Sequence, residues 1–164
     1  NSVTFEENSS KVIGMISNEN EKLKEFAKND HFSTYVYISN NETKSNSCIS
    51  IENWEAGNKI LGNYFLESND IGKFRPLELN YDKLRVSFDK GCYRGQEIVA
   101  RMKYLGIDRR IFLTFITTSE YDANENIKIV GKQIEIDDKL VFNAIVKKDL
   151  IQDIQKHPQV LKII

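Results

Sequence analysis

The sequence predicts an α+β fold in two parts, because the spacing of apolar residues changes near residue 108. Before that point, segments with strand periodicity and helix periodicity alternate along the chain. After it, short segments rich in β-branched residues follow one another across short turns. We therefore expect an α+β domain over residues 1–108 and a small β-rich domain over residues 109–164.

The first part begins with a strand and a helix. Lys11 to Ser17 contains four large apolar residues and predicts a strand. Asn18 follows it, and asparagine is a residue that caps helix N-termini by accepting a hydrogen bond from a free backbone N–H group. The apolar face of the predicted helix has residues at positions i, i+3 and i+4, namely Leu23, Phe26 and Ala27.

Two more strands are predicted after this helix. Thr34 to Ser39 is rich in aromatic and β-branched residues, residues 40–46 predict a turn, and Ser47 to Ile51 predicts a partner strand. A strand–helix–strand–strand order is typical of a ferredoxin-like α+β half-domain. Residues 53–72 contain three glycines and predict irregular structure.

A second helix is predicted at Gly95 to Leu105, and Gly106 ends it. Its apolar face is formed by Ile98, Val99, Met102 and Leu105. The change from helix to strand periodicity directly after Gly106 sets the predicted boundary between the two domains.

The C-terminal part predicts a small β-barrel, because several short strands follow one another across short turns. Gly131 and the pair Asp137-Asp138 mark turns, and Asp149 to Lys156 predicts a short helix. The predicted strands are Ile111 to Thr117, Ile127 to Val130, Lys132 to Ile136, Leu140 to Lys147 and Val160 to Ile164.

Composition excludes several classes of protein. Of the 164 residues, 40% are hydrophobic and 29% are charged, which argues against general disorder. No apolar run is long enough to span a bilayer, and the first 30 residues show no secretory signal. The two cysteines and two histidines are too few and too scattered to predict a metal site. We expect a reducing compartment: the cytoplasm, or the mitochondrial matrix in a eukaryote.

Charge is distributed unevenly along the chain. Residues 73–110 contain ten basic and five acidic residues, although the whole chain has a net charge of −1. This segment predicts contact with an anionic ligand or partner, and the alternative is a solvated basic face. The segment lacks RNA-binding motifs, and its aromatic residues do not alternate with its basic ones.

The segment with the clearest chemistry is Lys90 to Glu97, which reads KGCYRGQE. Gly91 and Gly95 allow tight turns on either side of Cys92, and a predicted helix begins directly afterwards. Cationic side chains and the free N–H groups of a helix N-terminus favour a thiolate, so we expect a lowered pKa for Cys92. The alternative is that Cys92 is a small buried apolar residue.

This segment resembles the KGCYxGQE signature of the YgfZ family, the tetrahydrofolate-binding branch of the aminomethyltransferase (glycine-cleavage T-protein) superfamily. The flanks Phe74 to Asn80 and Ile98 to Arg101 also resemble those of the family. The close resemblance covers residues 54–110. The family's N-terminal domain, which helps to line the folate cavity in the superfamily, has no counterpart in this sequence, so we expect the chain to correspond to the family's second half.

The resemblance implies the fold of the folate-binding domain and a set of site residues. Cys92 would be the functional thiol. Glu55, in the sequence Glu55-Ala56-Gly57, would accept hydrogen bonds from the pterin ring, the alternative being a solvated glutamate at a helix start. The other residues predicted to bind the cofactor are Lys90, Tyr93, Gln96 and Arg101, and the remaining motif positions are Gly91, Arg94, Gly95 and Glu97.

Tyr93 could stack on a pteridine or benzoyl ring, or pack in the core. Lys90 and Arg101 could hold the glutamate tail of folate or a nucleic-acid phosphate.

The family implies a tetrahydrofolate-dependent accessory protein for iron–sulfur cluster assembly or repair. Its partners would be folate and iron–sulfur enzymes or assembly factors, including enzymes that thiolate tRNA, with tRNA contacted indirectly. One alternative is an aminomethyltransferase that moves a one-carbon unit to tetrahydrofolate. Another is a tRNA-binding module that uses the basic segment 73–110. The sequence favours an accessory factor over a conventional enzyme.

Overall fold

The computed structural model describes residues 11–18, 25–39, 48–106 and 109–164. Within these ranges the chain forms two antiparallel sheets and four α-helices, which confirms the predicted α+β class. The first sheet contains β1 (Lys11–Ser17), β2 (Glu25–Lys28) and β3 (Ser33–Ser39), in the spatial order β1-β3-β2. The second contains β4 (Arg110–Thr117), β5 (Ile127–Ile136), β6 (Lys139–Lys147) and β7 (Val160–Ile163), in the order β5-β6-β4-β7. The α-helices are α1 (Ile51–Ile60), α2 (Tyr81–Leu84), α3 (Gln96–Leu105) and α4 (Ile151–Gln155).

In the first sheet, the strands predicted at 11–17 and 34–39 are confirmed as β1 and β3. The helix predicted between them is wrong at Phe26 and Ala27, because both residues lie in β2. Pairing with β3 gives this short segment its backbone partners, whereas an isolated helical turn is unfavourable. Residues 19–24 of that predicted helix and the turn at 40–46 lie outside the described residues. The ferredoxin-like order of elements is therefore not confirmed.

Helix α1 replaces the strand predicted at Ser47–Ile51, because residues 48–50 have no regular structure and the helix begins at Ile51. The Oγ atom of Ser50 accepts a hydrogen bond from the Asn53 N–H group at 3.2 Å and caps the helix. Gly57 weakens the sequence signal, since glycine costs a helix about 1 kcal/mol relative to alanine. A Cβ atom on Gly57 would lie 2.8 Å from a side-chain carbon of Ile16 in β1, so glycine lets α1 lie close to the first sheet.

The second sheet follows the sequence pattern with one correction. The predicted strands around 111–117, 140–147 and 160–164 are confirmed as β4, β6 and β7. The two strands predicted on either side of Gly131 are a single strand, β5, and Gly131 is part of a bulge rather than a turn. The turn predicted at Asp137-Asp138 is confirmed, and both residues have positive φ, as two-residue hairpins of type I′ require.

The predicted β-barrel is wrong for the described part of the chain, where the second sheet is open and has β5 and β7 as its edges. Both faces of the sheet are nevertheless covered. Phe142, Ala144 and Val146 pack on one side with Ile154 of α4, whereas Val141 and Ile145 pack on the other side with groups that precede β4. Because helices and loops bury both apolar faces, the sheet needs no closure.

Residues from both sides of the predicted domain boundary share apolar clusters. Ala56 of α1 packs with Ile134 and Val141, and Tyr64 packs with Phe112 and other side chains of the second sheet. The division between residues 108 and 109 stays a prediction. Among the described residues, no helix is both long enough and apolar enough to cross a membrane.

Candidate functional site

A cavity of about 610 Å³ lies between α1, the segment that follows it, and strand β5. Its volume falls within the range of small-molecule pockets. Aromatic side chains from Trp54, Tyr64 and Phe65 form part of its wall. Its charged lining residues are Glu55, Lys59, Glu67 and Lys132.

The charged residues of the cavity form two neighbouring acid–base pairs. Glu55 Oε2 lies 2.6 Å from Lys132 Nζ, and Lys59 Nζ lies 3.9 Å from Glu67 Oε1. The Lys59 ammonium also lies 5.4 Å from the centroid of the Tyr64 ring. The cavity therefore presents both carboxylates and cations beside aromatic surface.

The two lysines have pKa values shifted in opposite directions. Lys59 is only 4% exposed, and this burial lowers its pKa, against the opposing effect of Glu67 and Glu55. Lys132 has its pKa raised, chiefly by the hydrogen bond to Glu55. The pairing with Lys132 therefore fixes the position of the Glu55 carboxylate.

The bulge at Gly131 positions Lys132. The Gly131 N–H group donates to Asp70 Oδ2 at 2.7 Å, and the Lys132 N–H group donates to both carboxylate oxygens of Glu67 at 3.1 and 3.2 Å. Gly131 has φ +67°, and a Cβ atom there would overlap the Glu67 carboxylate and lie 2.7 Å from the Tyr64 ring. Only glycine adopts this positive φ and leaves the space that a Cβ atom would fill, both without strain.

Tyr64 joins the same network from the other side. Its hydroxyl donates to Asp70 Oδ2 at 2.7 Å and accepts from the Glu67 N–H group at 3.1 Å. Burial raises the pKa of Tyr64, and the neighbouring Asp70 carboxylate raises it further. The phenol therefore stays protonated and holds the segment 64–70 against the bulge of β5.

A second polar network anchors the C-terminal end of α1. Asn143 Nδ2 donates to the carbonyl oxygen of Lys59 at 3.0 Å, and the hydroxyl of Thr114 donates to the same oxygen at 2.5 Å. Helix C-termini leave carbonyl groups without partners inside the helix. The Lys59 carbonyl accepts the Gly62 N–H group at 3.0 Å as well as these two side chains from the second sheet. The position of Lys59 in the cavity is therefore set by β4 and β6.

The predicted motif lies in a separate, solvent-facing loop that leads into α3. Cys92 is exposed, and Lys90 Nζ lies 4.7 Å from the centroid of the half-buried Tyr93 ring. Among the described residues, the buried Tyr93 hydroxyl has no hydrogen-bond partner. Gly95, with φ +89°, caps α3 and confirms the helix start predicted there.

The remaining motif residues also lie on the loop or the first turns of α3. Gln96 is the first residue of the helix, and Arg94 is exposed. Arg101 pairs with Glu97 of the motif at 3.0 Å, one helical turn away. Both side chains of that pair are largely exposed, so the pair contributes little to stability.

The structure places the predicted cofactor-binding residues in two groups. Of the five, all of which lie in the described ranges, Glu55 alone lines the 610 Å³ cavity. Lys90 and Tyr93 contact each other in the motif loop, and Arg101 lies on α3. Cys48 is exposed like Cys92, and its predicted place in a strand is wrong.

Sequence reasoning missed most of the cavity. Lys59, Tyr64 and Glu67 come from α1 and the segment that follows it, and Lys132 reaches them because β5 packs against α1. One signal in the sequence pointed to the contact, since a glycine inside a strand, here Gly131, often marks a bulge or the close approach of another chain segment.

No protein-family model matches the sequence. The chain is 39% identical over 64 residues to the tRNA-modifying protein YgfZ of Blochmanniella pennsylvanica, a match covering 38% of this chain and 19% of that protein. It is 30% identical over 117 residues to the protein of the same name from Klebsiella pneumoniae, covering 62% of this chain and 36% of that one. A stretch of 46 residues is 50% identical to the YgfZ protein of Colwellia psychrerythraea, covering 27% of this chain and 14% of that protein.

These matches confirm the resemblance to the YgfZ family that the motif predicts. They span about a third or less of the length of these curated relatives.

Proposed function

We propose that this chain acts in tRNA modification as an accessory protein rather than as the modifying enzyme. The observation that carries the proposal is the exposed KGCYRGQE loop at the start of α3, together with the similarity to proteins named tRNA-modifying protein YgfZ. More specifically, the protein supports the assembly or repair of iron–sulfur clusters in enzymes that thiolate tRNA, and it does so in the cytoplasm or the mitochondrial matrix.

Cys92 is the thiol on which this proposal rests. Its exposure allows a partner protein to reach the sulfur atom, and Gly91 and Gly95 leave the backbone around it open, with no atom near enough to contact an added Cβ. Lys90 and Arg94 place positive charge two residues away on either side of it in the sequence. The role of Cys92 is to contact the cluster, or a thiol of the partner, transiently.

The 610 Å³ cavity suits the pterin part of tetrahydrofolate. Glu55 supplies a carboxylate that can accept hydrogen bonds from the amino and N–H groups of a pterin, and Trp54 supplies aromatic surface. The ion pair with Lys132 engages Oε2 of Glu55, so Oε1 can accept a further hydrogen bond. When bound, the cofactor would supply a carrier for one-carbon units. In this proposal, α1 and the first sheet belong to a ferredoxin-like half of the folate-binding fold.

The folate-binding part of the proposal is tested by titrating tetrahydrofolate into the full-length protein and into its Glu55→Gln variant. The loss of one charge-assisted hydrogen bond should weaken binding by about 1.5–3 kcal/mol, without unfolding the protein. Glu52→Gln is the matched control, because Glu52 lies on the same helix but is exposed and outside the cavity lining. Equal affinities for wild type and Glu55→Gln would remove Glu55 from the site.

A further inference from the structure

A second, smaller cleft lies where the C-terminal end of α3 meets the segment 77–83 and strand β4. Its volume is about 250 Å³, and it is separate from the cavity that contains Glu55. Its lining contains more cations than carboxylates: Lys83, Lys103, Arg110 and Lys148 against Glu78 and Asp82.

The Glu78 carboxylate is already engaged within the protein. Its Oε2 atom accepts the Arg75 N–H group at 2.8 Å, and its Oε1 atom lies 4.0 Å from Arg110 Nη1. The three lysines of the lining are exposed. Apart from Glu78, the one acidic residue of the lining is Asp82. The cleft is net positive and open to a ligand that carries negative charge.

Lys103, which lines the cleft, links it to a pair of aromatic rings outside the lining, Phe88 and Tyr104. The Lys103 ammonium lies 3.5 Å from the centroid of the Phe88 ring, and Phe88 packs edge-to-face against Tyr104 with 6.3 Å between ring centroids. Tyr104 is 71% exposed, which is unusual for an aromatic side chain on a helix. The folded chain thus places aromatic and basic groups side by side, although they do not alternate in the sequence.

Cations beside an exposed aromatic ring, that of Tyr104, match the chemistry of single-stranded nucleic acid, whose phosphates need positive charge and whose unpaired bases stack on rings. An acidic protein surface would satisfy the lysines but would leave Tyr104 without a stacking partner. The excess of basic residues over acidic ones in segment 73–110, which supplies both rings and two of the lysines, points the same way.

We propose that the basic cleft and the Phe88–Tyr104 pair form a binding site for single-stranded RNA. The lysines hold backbone phosphates, and Tyr104 stacks on a base. The site gives the proposed role in tRNA modification a direct RNA contact, but it does not depend on folate binding or on Cys92.

The test is fluorescence anisotropy of the full-length protein with a labelled single-stranded oligouridylate of about 12 nucleotides, a length within the range of known single-strand sites. A duplex RNA of the same length serves as the comparison, and both titrations run between about 50 and 200 mM salt. We expect the single strand to bind more tightly than the duplex, and the affinity to fall as salt rises. Binding that is absent at low salt, or that favours the duplex, would overturn the proposal.

Two variants separate the charge contact from the stacking contact. Lys103→Ala should weaken binding and lower the slope of log affinity against log salt by about 0.7. Tyr104→Ala should weaken binding by about 5- to 150-fold and leave that slope unchanged.

Lys139→Ala is the control, because Lys139 is exposed and lies at the opposite end of β6 from Lys148. If Lys139→Ala weakens binding as much as Lys103→Ala, the attraction is general and the site is wrong. If Tyr104→Ala leaves RNA binding unchanged but abolishes capture of a protein, the surface binds protein instead. Because the folate titration uses neither RNA nor these residues, failure here is distinguishable from failure of the proposed function.

Discussion

Replacing Tyr64 with phenylalanine removes one hydroxyl group from the centre of the network that holds the cavity together. In the wild-type protein this hydroxyl donates to the Asp70 carboxylate at 2.7 Å and accepts from the Glu67 N–H group at 3.1 Å, and Tyr64 is only 2% exposed. A buried hydrogen bond to a charged group contributes about 1.5–3 kcal/mol, and the Glu67 N–H group also loses its partner. We therefore expect Tyr64→Phe to lower the free energy of unfolding at neutral pH by about 2–3 kcal/mol, which corresponds to a fall in Tm of about 4–12 °C.

The pH dependence of this difference tests the same contact independently. Since the pKa of Tyr64 is raised above its ordinary value of 10.0 in the folded protein, the unfolded chain loses the phenolic proton first as pH rises. The stability that Tyr64 contributes is therefore complete below about pH 10 and falls above it, by up to about 1.4 kcal/mol per pH unit. Phenylalanine has no proton to lose, so the difference in the free energy of unfolding between wild type and Tyr64→Phe should become smaller above pH 10.

The assay is urea unfolding followed by circular dichroism at neutral pH and at several values above pH 10. Tyr81→Phe is the matched control, because the Tyr81 hydroxyl donates to a neutral carbonyl group, that of Tyr64, at 3.1 Å. Its loss should cost only about 0.5–1.5 kcal/mol. A Tyr64→Phe variant as stable as wild type, or a difference that stays constant above pH 10, would refute the role assigned to the network.

Three further predictions follow from the same structure. Gly131→Ala should lower stability by at least about 1–2 kcal/mol in urea unfolding, because φ is +67° and the new Cβ would overlap the Glu67 carboxylate; unchanged stability would contradict the geometry of the bulge. Asn143→Ala should cost about 1–3 kcal/mol in the same assay, since it removes hydrogen bonds to the Lys59 carbonyl and to Thr114, and a loss below about 0.5 kcal/mol would contradict that anchoring. Cys92 should react with iodoacetamide before Cys48 near neutral pH, as followed by peptide mass spectrometry. Both thiols are exposed, so exposure does not separate them, but cationic residues lie close to Cys92 in the sequence; faster reaction of Cys48 would contradict the choice of Cys92 as the functional thiol.

The strands of the second sheet were predictable because their apolar patterns are local and turn residues separate them. β4, β6 and β7 lie close to their predicted positions. The sequence predicts two strands where the structure has the single strand β5, because glycine is a common turn residue, whereas Gly131 with its positive φ lies in a bulge that contacts Asp70. The contact that requires glycine at this position is made by Asp70, which lies about 60 residues earlier in the chain. A local sequence pattern therefore cannot predict it.

Helix α1 was missed for a related reason. Its N-terminal cap, Ser50, lies within the segment Ser47 to Ile51, whose pattern predicts a strand, and Gly57 lowers the helix propensity of the segment that follows. Contacts with both sheets stabilise the helix despite that glycine, because Ile16 and Ile134 pack against it. Tertiary packing overrode local propensity here.

The motif loop could be predicted from local sequence, whereas the cavity could not. The loop around Cys92 is one continuous stretch of sequence, so the helix start after Gly95 is predictable from local spacing alone. The cavity depends on Glu55, Lys59, Glu67 and Lys132, which come from three separate elements. Of these four, the sequence indicated only Glu55, and it did so through the family resemblance.

The central claim, that Cys92 supports tRNA modification, is tested most directly in cells that lack their own YgfZ protein. These cells would express the full-length protein as wild type, Cys92→Ala or Cys48→Ala, and the thiolated nucleosides of their tRNA would be quantified by mass spectrometry. We predict that wild type and Cys48→Ala restore thiolation, and that Cys92→Ala fails to do so although it accumulates as a folded protein. Full restoration of thiolated nucleosides by Cys92→Ala would contradict the claim.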